Sequence, residues 1–230
     1  MQPALRNSLR RNGFTLLELS IVLVILGLLI AGVMTGRSLI RASEMRSASA
    51  DASRLATSVY SFRDKYFMLP GDVTNASAFW SGTPNGNGNG QIDYLLGNPG
   101  EEYNAWQHLA LAGIIPGSYT GGVTSLPSSK LKRSFYRISH LQGVYGKSGL
   151  LISLNALDGG VLANKAVLGP DDVISIDIKL DDGEADSGSV MGFNEEGVPG
   201  CVTNDYTAGS GSYVTASTAV RCKIFFKVGN

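Results

Sequence analysis

Histidine and cysteine are scarce: there are two of each in 230 residues. His108 and His140 have no third ligand at metal spacing and no nearby thiol, so the chain offers no zinc set. Serine is plentiful, but no nucleophile-elbow pattern frames any of it, which leaves hydrolase chemistry without a motif. Net charge is missing too. Nineteen basic residues balance nineteen acidic ones, so the basic footprint of a nucleic-acid binder is absent. Proline is absent from Phe14 to Tyr66. No internal repeat is visible. Between Phe14 and Met34 charge itself is missing, with the single exception of Glu18.

That last stretch is what the rest of the chain is organised around. Phe14–Met34 is 21 residues, roughly 31 Å as a helix at 1.5 Å per residue, enough for a bilayer core. A lone carboxylate near one end of such a segment costs on the order of 3 kcal/mol on insertion scales, so it calls for a partner. A cut before Phe14 would create an α-ammonium one helical turn from Glu18. An ordinary secretory signal has a shorter apolar region followed by a small-residue cleavage site. Here the small residue, Gly13, precedes the run.

The order Arg10-Arg11-Asn12-Gly13-Phe14-Thr15-Leu16-Leu17-Glu18, followed by the apolar run, closely resembles the cleavage and assembly signal of type IV pilins and of the pseudopilins of type II secretion. The resemblance implies that a prepilin peptidase cuts between Gly13 and Phe14 and N-methylates Phe14. It implies that Glu18 is the carboxylate required for entry into a filament. The implied partners are identical or related pilin subunits, that peptidase and an inner-membrane assembly platform. The implied place is the inner membrane, crossed once with the head in the periplasm, and then a pilus or pseudopilus. The implied role is structural, not enzymatic, and no nucleic acid is expected.

The fold class that follows is α+β and pilin-like: a long N-terminal helix, an antiparallel sheet in the head and a disulfide-bounded C-terminal region. Residues 1–13 are the leader, 14–66 the long helix and 67–230 the exported head. Without the leader's three arginines the chain has 16 basic and 19 acidic residues, a formal charge of −3. Arginines flank the span on both sides, Arg6, Arg10 and Arg11 before it and Arg37, Arg41 and Arg46 after, so charge bias alone leaves its orientation open. The short leader and the two cysteines favour leader inside and head outside. In an exported chain an even cysteine count reads as a disulfide, here Cys201 with Cys222.

Beyond Met34 the helix is expected to become amphipathic. Met45, Ala48, Ala52, Leu55, Val59, Phe62 and Tyr66 recur at alternating intervals of three and four, one face of a helix. A sheet covering that stripe is the favoured reading; a dimeric coiled coil is the alternative. Leu69-Pro70-Gly71-Asp72 ends the helix, and the Lys65-Tyr66-x-x-Leu69-Pro70-Gly71-Asp72 segment is similar to one in many prepilin-type proteins. A short helix is expected over 103–114, with His108 as a surface or cap residue, and strands over 134–140, 149–154 and 221–228. Residues 170–180 fit either element. Ile174, Ile176, Ile178 and Leu180 alternate as a strand would. Pro170 with two acids, and the spacing of Val173, Ile176 and Leu180, suit a helix. The Ile-Asp-x-Lys-x-Asp-Asp-Gly pattern of 176–183 is similar to one in prepilin-type proteins and tips the reading to a helix.

Two stretches of the head invite chemistry. Asn85, Asn87, Asn89 and Asp93 fall at positions 1, 3, 5 and 9 of a calcium-loop pattern, with Gly90 at 6 and Ile92 at 8. The early ligands are neutral, and Leu96 stands where a bidentate Glu belongs, so Glu101 or Glu102 would have to substitute. Some pseudopilins bind calcium in a head loop. A flexible Asn-Gly turn is the competing reading. The run Lys130, Lys132, Arg133, Phe135, Tyr136, Arg137 is the one candidate for DNA capture by stacking and charge, and would suit a minor tip subunit acting as an adhesin or DNA-binding module. A solvated strand flank is the simpler reading. Asp181-Asp182-Gly183-Glu184 reads as a solvated turn.

Overall fold

The computed structural model describes residues 14–93, 100–131, 134–144, 147–158, 161–195, 197–204, 211–217 and 219–229. The chain divides into two compact units at Ser43/Glu44. The described part of the first unit is Phe14, Thr15 and the first stretch of helix α1, which runs Leu16–Tyr66. Its apolar side chains from Leu16 to Ile40 stand exposed, and by length and composition this helix can cross a membrane.

The second unit is an α+β head of pilin-like architecture. It opens with the remainder of α1. Ala48, Ala52, Leu55, Val59 and Phe62 are buried there, with Met45 and Tyr66 packed against the same core. The 3-4 spacing of these residues is what makes the stripe, and burying each larger one contributes roughly 1.5–3 kcal/mol. A short helix α2, Ala76–Phe79, and a longer α3, Glu101–Leu111, follow. Next come strands β1 (Ser134–Val144), β2 (Lys147–Asp158) and β3 (Val161–Lys165), helix α4 (Pro170–Leu180), β4 (Val190–Asn194) and β5 (Cys222–Lys227).

The sheet is antiparallel, in the order β1-β2-β5-β4, with β3 paired to the far end of β2. Period-two alternation divides its side chains between two faces. Tyr136, Ile138, Ile152, Leu154, Ile224 and Phe226 join the cluster that holds the α1 stripe, and the Tyr136 hydroxyl donates to the Ala48 carbonyl at 3.1 Å. Leu151, Met191, Phe193 and Phe225 form a second buried cluster. The α1 stripe is thus covered by the head's own sheet. Residues 170–180 are helical, and the Asp172 carboxylate accepts the Gly169 N–H at 3.4 Å at the helix start.

Cys201 and Cys222 are joined and fully buried. Cys222 begins β5 and pairs with Leu168. Cys201 lies in a loop held by one side chain, since Asn194 Oδ1 accepts the N–H groups of Gly200, Cys201 and Val202.

Candidate functional site

The first turn of α1 carries the residues that the sequence singles out. Gly13 lies outside the described residues; Phe14 and Thr15 precede the helix. The Thr15 hydroxyl accepts the Glu18 N–H at 3.2 Å, and Glu18 Oε2 accepts the Thr15 N–H at 2.9 Å. These reciprocal bonds are a capping box, in which residues three apart satisfy each other's otherwise orphaned helix-end donors. The Thr15 hydroxyl also lies 3.0 Å from Oε2. The Glu18 carboxylate is therefore folded back toward the start of the helix, with Oε2 engaged and Oε1 outside these bonds. The Thr15-x-x-Glu18 spacing is the signal that would have revealed Thr15 as the partner.

In the head, the Gly/Asn loop is built around acids. Asp72, buried just after Pro70-Gly71, accepts N–H groups from Gly88, Asn89 and Gly90 at 2.6–3.0 Å. Glu101 accepts those of Asn87 and Asp93, and burial, the leading cause, holds its pKa above the usual carboxylate range. The loop is close-packed on this frame. At Gly71, φ is +90° and a Cβ would stand 2.3 Å from the Glu101 carbonyl oxygen. Asn87 and Asn89 turn their Nδ2 groups onto Asp93 Oδ2, at 2.7 and 3.0 Å, while their Oδ1 atoms accept the N–H groups of Asn89 and Gln91. Asn85 Oδ1 accepts the Ser77 N–H. In this arrangement the oxygens a hard cation would take from these asparagines serve backbone donors, and the charge of Asp93 meets two amide N–H groups. Glu102 is engaged elsewhere, in a buried ion pair with Arg137.

That pair also bears on the basic aromatic run. Arg137 and Tyr136 are buried, and Lys132 and Arg133 lie outside the described residues. Tyr136 and Arg137 therefore offer no exposed stacking platform. His108, expected at the surface, is fully buried. Its ring stacks with Phe62 at 6.3 Å between centroids, and its Nδ1 accepts the Gly71 N–H. Burial lowers its pKa to about 4. His140 is engaged in the same region, its Nδ1 accepting the Ile92 N–H at 2.9 Å.

The acidic turn after α4 is stapled rather than loose. Asp177 is buried, accepts the Tyr213 hydroxyl at 2.6 Å and the Gly183 N–H at 3.2 Å, and has its pKa pushed up by burial to about 6. Asp181 accepts the Ser189 and Val190 N–H groups. Asp182 accepts the Glu184 N–H at 2.9 Å and the Ser187 hydroxyl at 2.7 Å; Asp177, Asp181 and Asp182 cluster together, and these hydrogen bonds account for their positions.

A long apolar helix with a capped carboxylate, joined in sequence to a disulfide-closed α+β head, is a pilin-like α+β architecture, and its helix is long and apolar enough to cross a membrane. Residues 8–34 match the family described as the prokaryotic N-terminal methylation motif, the signature of type IV pilin and pseudopilin precursors. The match covers 27 of the 230 residues, from just before Phe14 into the first part of α1, and points to a structural protein rather than an enzyme. Comparison with curated proteins and with solved structures gives no match.

Proposed function

We propose that the chain is a structural subunit of a type IV pilus-like or type II secretion pseudopilus filament. On this reading a prepilin peptidase cuts Gly13–Phe14 and N-methylates Phe14, and subunits pack their N-terminal helices into a filament core. The observation that carries it is the Thr15–Glu18 capping box at the head of an exposed apolar helix. The box aims the carboxylate at the end of the helix where cleavage places an ammonium. Oε2 is held by Thr15, and Oε1 is left for a cation. In apolar surroundings such a pairing removes the cost of two isolated charges. It also sets the axial register, because one stagger alone brings the ammonium of an incoming subunit to a neighbour's Glu18. Head position follows from the same reading: leader in the cytoplasm, head in the periplasm.

The test is to express Glu18→Leu and Glu18→Gln without wild-type subunit and to look for sheared filaments. Both variants should be exported, cut at Phe14 and oxidised normally, and neither should build a filament. Gln keeps the polarity but not the charge. Normal filaments from Glu18→Leu would overturn the mechanism and favour a simple anchored head or a tip subunit.

The Gly/Asn loop is proposed as a turn organised by Asp72 and Glu101 and not as a calcium site. Millimolar calcium should leave the melting temperature of the full-length protein in detergent unchanged relative to chelator. A rise that Asp93→Ala abolishes would restore the cation.

A further inference from the structure

Along one side of α1 the head leaves an apolar groove open. Two adjoining cavities of about 210 and 260 Å³ share Ser53 and Leu180. Ser49, Ala50 and Ala56 line the α1 side, Ile176 the α4 side and Phe226 the sheet side. Small side chains on α1 keep the floor low, so a bulky group from outside can approach the helix closely. The groove is bordered by cations: Arg46 and Lys179 in the first cavity and Lys227 in the second, all exposed. Asp181, at the α4 end, has its carboxylate turned onto the Ser189 and Val190 N–H groups.

The neighbouring face of α4 has the opposite character. At 100° per residue Asp171 and Ile178 share one side of the helix, and Asp182 and Glu184 follow in the turn beyond it. All four are exposed, Ile178 by 63%. Ile178 lies beside Gly183, where an added Cβ would come within 2.9 Å of its Cγ1, and stands exposed between the acids. The chain thus carries an apolar ridge flanked by three acids and an apolar groove flanked by three cations.

We propose that the α1/α4 groove of one head receives the α4 ridge of a second copy of this chain. Ile178 enters the groove between Ser49, Ser53 and Leu180, and Asp171, Asp182 and Glu184 meet Arg46, Lys179 and Lys227. Groove and ridge are different surfaces, so the contact is heterologous: each subunit uses one to hold the copy before it and the other to hold the copy after. Repetition of such a contact builds an open helical array. The proposal rests on the filament-subunit reading and adds to it a head-to-head contact, with charge complementarity setting its specificity.

The test is a charge exchange in the full-length chain. Arg46→Glu with Lys179→Glu makes the groove acidic; Asp171→Lys with Asp182→Lys makes the ridge basic. Each double variant should be exported, processed and oxidised as wild type, and should lose sheared filaments. The quadruple variant, with both surfaces reversed, should regain them. Ile178→Asp should lose them as well, and Ile178→Leu should keep them. Wild-type filaments together with filaments from either double variant, or a quadruple variant that stays without them, overturn this contact alone. A wild-type chain that builds no filament overturns the parent reading and this one with it.

Discussion

A neutral imidazole at the centre of the head makes its stability sensitive to acid. His108 has an ordinary pKa of 6.5 and, buried against Phe62 and Trp80, one of about 4 in the folded state. Between those values the unfolded chain binds a proton that the folded chain does not, so stability falls as pH drops through that window. Asp177 acts with the opposite sign. Its folded pKa of about 6 lies above its ordinary 3.8, so from pH 6 down to 4 the folded state takes up the proton first and gains stability. The wild-type profile mixes the two, and a difference measurement separates them. Full-length protein in detergent is expected to lose more melting temperature between pH 6.5 and pH 4 than the His108→Gln variant does. At pH 7 the variant should be the less stable of the two, having lost the ring contacts. Parallel profiles for the two proteins would show that His108 is not held neutral.

Helix α1 ends in an unusual way. Phe67 follows its last residue with φ +58°, and its N–H donates to the Arg63 carbonyl at 2.7 Å. That left-handed cap position commonly holds glycine. The conformation costs a side-chain-bearing residue about 1–2 kcal/mol, and the Phe67 ring, 89% exposed, recovers little of it by burial. Glycine would relieve the strain while losing about 0.5–1 kcal/mol of its own through extra freedom in the unfolded chain. Phe67→Gly is therefore expected to raise the melting temperature by about 2 °C. A fall would show that the ring braces the helix end. The cap was not legible in the sequence, because Phe at this position breaks the pattern that marks it. Other elements were legible to the degree that one force dominated them. The α1 stripe could be read because its spacing serves a single interface. Residues 170–180 satisfied two periods at once, and it was the resemblance of 176–183 to prepilin-type proteins, not periodicity, that tipped the reading to the helix observed there. Strand β4 gave no alternation to read: all five of its residues are buried, and Gly192 interrupts its β-forming residues. Asp72 could be read only as part of a helix stop, since its role depends on N–H groups from residues 88–90, brought there by the fold. Of the N-terminal site, Glu18 stood out by its charge in apolar surroundings and Phe14 by its place directly after Gly13 at the start of the apolar run. Thr15, polar but uncharged, did not.

For the molecule as a whole, the disulfide connects chemistry to location. Cys201 and Cys222 are fully buried and bonded, and such a bond persists where the environment oxidises, which the cytoplasm does not. The loop it closes holds 20 residues between the two cysteines. On the chain-entropy account that closure stabilises the head by about 3 kcal/mol. The loop is anchored independently as well, by the three N–H groups on Asn194 and by the Tyr213 hydroxyl on Asp177. Removing the bond should therefore weaken the head without unmaking its fold. The Cys201→Ser/Cys222→Ser double variant is expected to melt on the order of 10 °C lower than wild type, with an unchanged far-ultraviolet circular dichroism spectrum below the transition. Wild-type protein taken directly from the cell envelope and unfolded under an alkylating agent should show no free thiol. Two thiols per chain in that experiment would remove both the bond and the argument for a periplasmic head. An oxidised wild type with an unshifted double variant would leave the proposed location intact and assign the loop's stability to Asn194 and Tyr213.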